Sequence, residues 1–167
     1  YLAVDDEAYA VRDRSGAGQV LLMSEDNLFL RQIFASLPGV RLFEGDPANG
    51  LPVGDAYDLI VLDGWLPDEL PDSDILIVNP PNGTDFFSLG AEIEQVGALT
   101  VHPEDARVRN LDGYIQTVNL QKTRELFGVG WGTVLVQAED TPLVVAGEID
   151  ARQVVVMAFD ARYPNTD

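Results

Sequence analysis

Three unbroken apolar runs punctuate the first half of the chain: Gln19-Val-Leu-Leu-Met23, Asp58-Leu-Ile-Val-Leu62 and Ile75-Leu-Ile-Val78. Runs of this length without polar alternation predict strands buried on both faces, as in a parallel sheet. After the first run, Ser24 to Asn27 offers helix caps, and Leu28, Phe29, Ile33 and Leu37 recur at helical spacing. Pro38-Gly39 stops that helix ahead of a strand at Val40-Arg-Leu-Phe43. The unit is strand–helix–strand, with the right-handed crossover such units adopt. Upstream, Ala8-Tyr-Ala-Val11 predicts a strand fragment followed by a charged, glycine-bearing turn. The stretch 65–74 carries Pro67, Pro71 and a run of acids, and is too broken for a full helix. Phe86, Phe87, Leu89 and Ile93 supply the apolar side of a weak helix over 86–95.

Beyond about residue 98 the period shortens. Leu99–Val101, Tyr114–Leu120, Thr133–Ala138, Leu143–Glu148 and Val154–Phe159 read as strands. The last three are joined by the short turns Glu139–Pro142 and Asp150–Arg152, which connect antiparallel neighbours rather than parallel ones. The pattern predicts one α/β domain over 1–167: a three-layer core from the first half, with an antiparallel β extension in the C-terminal half. The chain opens at Tyr1 and stops at Asp167 in mid-phrase, so it is expected to be a piece of something longer.

Composition narrows the chemistry. Of 167 residues, 28 are acidic and 10 are basic, a net charge of −18. Lys122 is the one lysine, and so cation-poor a chain lacks the clustered charge that grips nucleic-acid phosphates or an anionic membrane face. No cysteine is present, which removes disulfides, thiolate metal sites and sulfur nucleophiles. No apolar run reaches the ~18 residues of a membrane-spanning helix.

Two phrases suggest a site. Val20-Leu-Leu-Met-Ser-Glu25-Asp26-Asn27 and Tyr57-Asp58-Leu-Ile-Val-Leu-Asp63-Gly-Trp-Leu-Pro67-Asp68 resemble the acidic pair and phospho-acceptor strand of a response-regulator receiver, with Asp63 as acceptor. Against that stand the position of Lys122, far from any late parallel strand, and the short interval from Asp63 to Ile75. Asp58, Asp63, Asn79, Asn82 and Asp85 are expected to converge where the second and third buried strands end, the usual ligand crevice of open α/β sheets. Of these, Asp63, Asn79 and Asn82 form the candidate binding edge. Asp68, Glu69, Asp72 and Asp74 read as a solvated acidic loop, since they lack the spacing and glycine of a calcium loop. His102 is the single histidine, lies beside Pro103 in a loop, and reads as solvated rather than as a base. Gly128-Val-Gly130-Trp-Gly132 reads as a turn, not a phosphate loop. Trp65, Trp131, Phe127 and Tyr114 are expected in packing roles.

The order of phrases carries a second resemblance. Asp6-Glu7-Ala8-Tyr9, Val20-Leu-Leu-Met with Asn27-Leu-Phe-Leu30, Leu37-Pro-Gly-Val40, Tyr57 to Gly64, Ile75 to Pro81, His102-Pro103 with Val118-Asn-Leu120, Pro142 to Gly147 and Val154 to Asp160 follow one another across nearly the whole chain. In this order they resemble the class I glutamine amidotransferase-like domain of bacterial membrane proteins that carry a von Willebrand factor A domain, in the aerotolerance-type group. The resemblance implies a flavodoxin-like amidotransferase core. Members that are enzymes place a nucleophilic cysteine on a tight turn after a strand, and this chain has none, nor a Gly-x-Ser-x-Gly substitute. The expectation is therefore a non-catalytic interaction or scaffolding domain, with no cofactor and no metal. It would sit on the extracytoplasmic face of the bacterial cytoplasmic membrane, attached only through flanking helices outside this chain. The adjacent von Willebrand A domain would be its partner. The alternative is the receiver-like domain using Asp63.

Overall fold

The computed structural model describes residues 18–54, 56–162 and 165–166. The strand fragment expected at Ala8–Val11 lies outside the described residues. Strand β1 (Gly18–Met23) leads through a turn to helix α1 (Leu28–Ser36) and returns in β2 (Val40–Gly45). Then come β3 (Leu59–Asp63), β4 (Asp74–Val78), β5 (Ser88–Glu94) and β6 (Leu99–Val101), the short helix α2 (Asp112–Ile115), and β7 (Lys122–Phe127), β8 (Gly132–Ala138), β9 (Thr141–Ile149) and β10 (Arg152–Met157). Eight strands form one sheet in the order β2-β1-β3-β4-β10-β9-β8-β6, and β5 pairs with β7 as a separate ribbon.

The apolar runs sit where their burial requires. β1 pairs in parallel with both β2 and β3, β3 with β4, and β4 with β10. These interior strands need apolar residues on both faces. On one face Val20, Leu22, Val61 and Val78 meet Leu30 and Phe34 of α1. On the other, Leu21, Met23, Ile60, Leu62, Ile75 and Ile77 meet Phe87 and Leu126 from the β5–β7 side. Helix, sheet and ribbon make the three layers of an α/β, flavodoxin-like core. The antiparallel extension is β9, β8 and β6, which close a further cluster around Leu99, Leu135 and Leu143. β10 itself belongs to the parallel core, and its hairpin with β9 joins core to extension.

Three expectations are corrected. Residues 86–95 form no helix: Phe86 and Phe87 make an edge-on pair in a tight loop, where Thr84 bridges Phe87, and β5 follows. Phe87, Leu89, Ala91 and Ile93 also fit the period-two alternation of a strand, and the pairing with β7 shifts register between Leu89 and Glu92. Tyr114–Leu120 is no strand: α2 and a following turn occupy it, with Thr117 Oγ1 donating to the Tyr114 carbonyl, and the strand begins at Lys122. Tyr114 and Phe127 are exposed rather than packed, whereas Trp65 and Trp131 lie against the core. The helix expected from Leu28, Phe29, Ile33 and Leu37 forms as α1; these residues mark its outer side, and the sheet is met by Leu30 and Phe34.

One close approach sets the β8–β9 register. A Cβ on Gly147 would stand 2.7 Å from Gly132 Cα and 2.7 Å from the Trp131 carbonyl oxygen, both backbone. Gly147→Ala is expected to cost about 1–3 kcal/mol through backbone displacement, read as a fall in the urea midpoint. Gly130→Ala, where a Cβ meets open space, is the control that leaves the midpoint in place.

Candidate binding edge at the carboxyl ends of the parallel strands

β1 lies between β2 and β3, so the chain leaves it to one side and returns on the other. Neighbouring strand ends diverge there, and open α/β sheets form their crevices at such a point. Asp63 closes β3 at this boundary and is 5% exposed. Its Oδ2 accepts from Ser24 Oγ at 2.7 Å and from Asn27 Nδ2 at 3.0 Å. Asn27 is buried too, and its Oδ1 accepts from the Leu30 amide at 3.1 Å, capping α1. A single buried carboxylate thus ties the end of β3 to the turn after β1 and the start of α1. Its Oδ1 has no partner among the described residues.

Arg162 supplies the cation of this neighbourhood. It binds Asp160 through Nε and through Nη2, at 3.0 and 2.8 Å. Those hydrogen bonds hold the guanidinium pKa above its usual value, against partial desolvation, and the negative fields of Asp160, Asp63 and Glu25 add to them. Asp160 also lines a cleft of about 260 Å³ with Asn79, Glu92, Lys122, Thr123, Arg124 and Asn165. Asn79 directly follows β4 and holds φ at 49°, in the left-handed region, with its amide donating to the Met157 carbonyl. Asparagine tolerates this conformation better than most side chains. Lys122 Nζ lies 3.1 Å from both Glu92 and Glu94, and the pair raises its pKa, Glu94 most.

The structure brings part of the expected edge together: Asp63 pairs with Val78, so Asp63 and Asn79 stand at adjacent strand tips, each with its own partners. Asp63 faces Ser24 and Asn27, Asn79 lines the cleft beside Asp160, and Asn82 lines a different cleft with Asp85. Asp58 sits at the opposite end of β3, where its Oδ2 accepts from the Gln19 amide. His102 follows β6, on the far edge of the sheet. Five strand spacings separate that edge from β3, about 24 Å at the usual interstrand distance. There it neighbours Asp105, whose carboxyl is held far below its usual pKa by hydrogen bonds from the Arg107 side chain and amide, with the charges of Arg107 and His102 assisting. Among the described residues, no three His, Asp or Glu side chains are grouped to hold a metal ion, the acidic loop 68–74 included. Sequence reasoning missed Ser24 and Arg162 as contributors. The cap phrase contained the first, and no local pattern marks the second.

These features place the domain in a class. No protein-family profile matches the chain, and no curated protein matches it by sequence. Solved structures match it by fold. The cytoplasmic protein STM3548 of Salmonella typhimurium superposes with a TM-score of 0.66 at 10% identity, covering 89% of this chain and 89% of that one. The cytoplasmic protein STM1381 of Salmonella typhimurium gives 0.61 at 12% identity, covering 88% and 90%. A GMP synthase-type protein of Thermoplasma acidophilum gives 0.55 at 14% identity, covering 91% and 88%. The chain therefore has a flavodoxin-like fold of the class I glutamine amidotransferase type.

The Asn27 contacts make a discriminating series. Asn27→Ala loses the cap and one donor to a buried carboxylate, a cost of about 2 kcal/mol or more. Asn27→Asp keeps a good cap but sets a second carboxylate against Asp63, so it is expected to be less stable still at neutral pH. Urea unfolding at pH 7 should rank wild type above Asn27→Ala above Asn27→Asp. An aspartate variant as stable as wild type would show that the bond to Asp63 does not hold this corner.

Proposed function

We propose that this domain is a non-catalytic protein-interaction module, an amidotransferase-like fold serving as a docking and scaffolding surface. The resemblance in phrase order supports placing it in a membrane-anchored protein of the von Willebrand factor A, aerotolerance-type group. On that reading it lies on the extracytoplasmic face, with the adjacent A domain as partner.

The observation that carries the interaction reading is the outer side of α1. Leu28 is 56% exposed and Phe29 49%, with Ile33 and Leu37 continuing the stripe, while Leu30 and Phe34 cover the sheet behind them. A helix apolar on both sides belongs in an interior, and a contiguous exposed patch marks a surface that another protein covers. Its one charged residue, Arg31, is occupied by Glu44 at 2.7 Å. Self-repulsion at a net charge of −18 disfavours a second copy of the chain as the cover. A different protein with an apolar face fits better. The non-catalytic part is supported by the turn after β4, where the residue at positive φ is an amide, Asn79. It is supported also by Lys122, committed to two glutamates, and by the lack of cysteine.

Titration calorimetry of this domain against the adjacent A domain of the same polypeptide tests the reading. Phe29→Glu with Ile33→Glu is expected to weaken binding at least tenfold and leave the melting temperature within a few degrees, because both side chains face solvent. Absence of binding, or binding indifferent to the double variant, would overturn it. Protease protection of the full-length protein in intact cells reads its side of the membrane.

The receiver-like reading is favoured by one observation, the place of Asp63 at the carboxyl end of a parallel strand. Against it, Asp63 is buried, and Lys122 is held by Glu92 and Glu94. Incubation with acetyl phosphate and Mg²⁺ is expected to leave the mass unchanged. A phosphoryl group mapped to Asp63 would replace the scaffolding reading with signalling.

A further inference from the structure

We infer that the cleft on the ribbon side of the sheet is a docking groove for a basic, partly apolar peptide segment of a partner protein. The inference rests on the interaction reading and adds the chemistry of a partner. In a three-layer α/β unit, the connection between adjacent parallel strands usually carries a helix that covers the sheet. The connection from β3 to β4 carries none. It crosses as an irregular strap containing Pro67 and Pro71, and Arg152 Nη1 pins it by donating to the Pro71 carbonyl.

The missing helix leaves room. A cleft of about 740 Å³ lies between this strap, the loop 82–86 and the tip of the β9–β10 hairpin. Leu66, Leu70, Phe86 and Ile149 line it, each half-buried. Asp68, Glu69, Asp85 and Asp150 line it as well, all exposed, against the single cation Arg152. Among the described residues none of the four carboxylates forms an ion pair. Uncompensated like charges around an apolar wall select an occupant that brings cations and apolar side chains together.

The walls are preformed. Asp150 and Ala151 hold φ at 51° and 63°, the two-residue hairpin geometry that fixes where Asp150 stands. Phe86 meets Trp131 edge-on at 5.5 Å, and Trp131 Nε1 donates to the Phe86 carbonyl at 2.8 Å. A preformed site loses less order on binding, and Trp131 stands close enough to Phe86 to report occupancy by fluorescence.

The probe is a decapeptide of alternating lysine and leucine, titrated against the domain by calorimetry and tryptophan fluorescence, beside a glutamate–leucine decapeptide and an all-lysine one. The lysine–leucine peptide is expected to bind, the glutamate–leucine peptide not, and the all-lysine peptide at least fivefold more weakly. Asp68→Asn, Glu69→Gln, Asp85→Asn and Asp150→Asn together are expected to weaken it at least tenfold. Glu104→Gln, Asp112→Asn, Glu139→Gln and Asp140→Asn together remove the same charge elsewhere and should leave binding unchanged. No binding, or equal weakening by both sets, overturns the groove, the latter by assigning the effect to the overall field. Because α1 lies on the other face of the sheet, the Phe29→Glu, Ile33→Glu variant should still bind the peptide. Loss of peptide binding with A-domain binding intact sinks the groove alone. The converse sinks the α1 partner and leaves the groove.

Discussion

One buried carboxylate sets the geometry of this domain. Burying a charge is unfavourable unless hydrogen bonds replace the lost water, and Asp63 obtains two, from Ser24 and Asn27. Because Asn27 is also the cap of α1, the same contacts fix where the helix begins and how it is turned on the sheet. That rotation sends Leu30 and Phe34 inward and leaves Phe29 and Ile33 outside. The apolar outer stripe is therefore a consequence of how the helix is tethered, and the arrangement at the strand tips reaches the surface through it.

The parallel core was legible because its strands must be apolar on both faces, and β1, β3 and β4 announce themselves as uninterrupted runs. The cap and stop of α1 were legible for similarly local reasons. Its inward side was not, since a helix apolar all round gives periodicity no preference between its two stripes. In β5 the apolar positions fit strand alternation as well as helical spacing, so pattern alone did not separate the two, and the turn chemistry of Thr117 outweighed the apolar residues that made 114–120 look extended. At the strand tips, Asp63 could be picked out as the end of a buried run. Asn79 and Asn82, three residues apart, line separate clefts, whose walls come from segments distant in sequence.

Fold and chemistry separate readily. Here the left-handed position after β4 carries an amide, Lys122 and Arg162 are paired with carboxylates, and Arg124 donates to the Gly90 and Pro81 carbonyls. Two larger features lie elsewhere: an apolar helix face on one side of the sheet, and an acid-rimmed groove on the other. Both belong to recognition rather than to bond-making.

The place of β10 has a consequence for how the chain reaches this structure. It is the last long strand, yet it sits in the middle of the sheet between β4 and β9, and the Gln153 amide reaches the Asp74 carboxylate across 79 residues of sequence. Pairings so distant must wait for a large loop to close, which slows acquisition of the native state. On a translating ribosome, β4 would keep an open flank until nearly all of this sequence had emerged. Such a flank is the kind of surface that chaperones shield and that premature termination would leave bare.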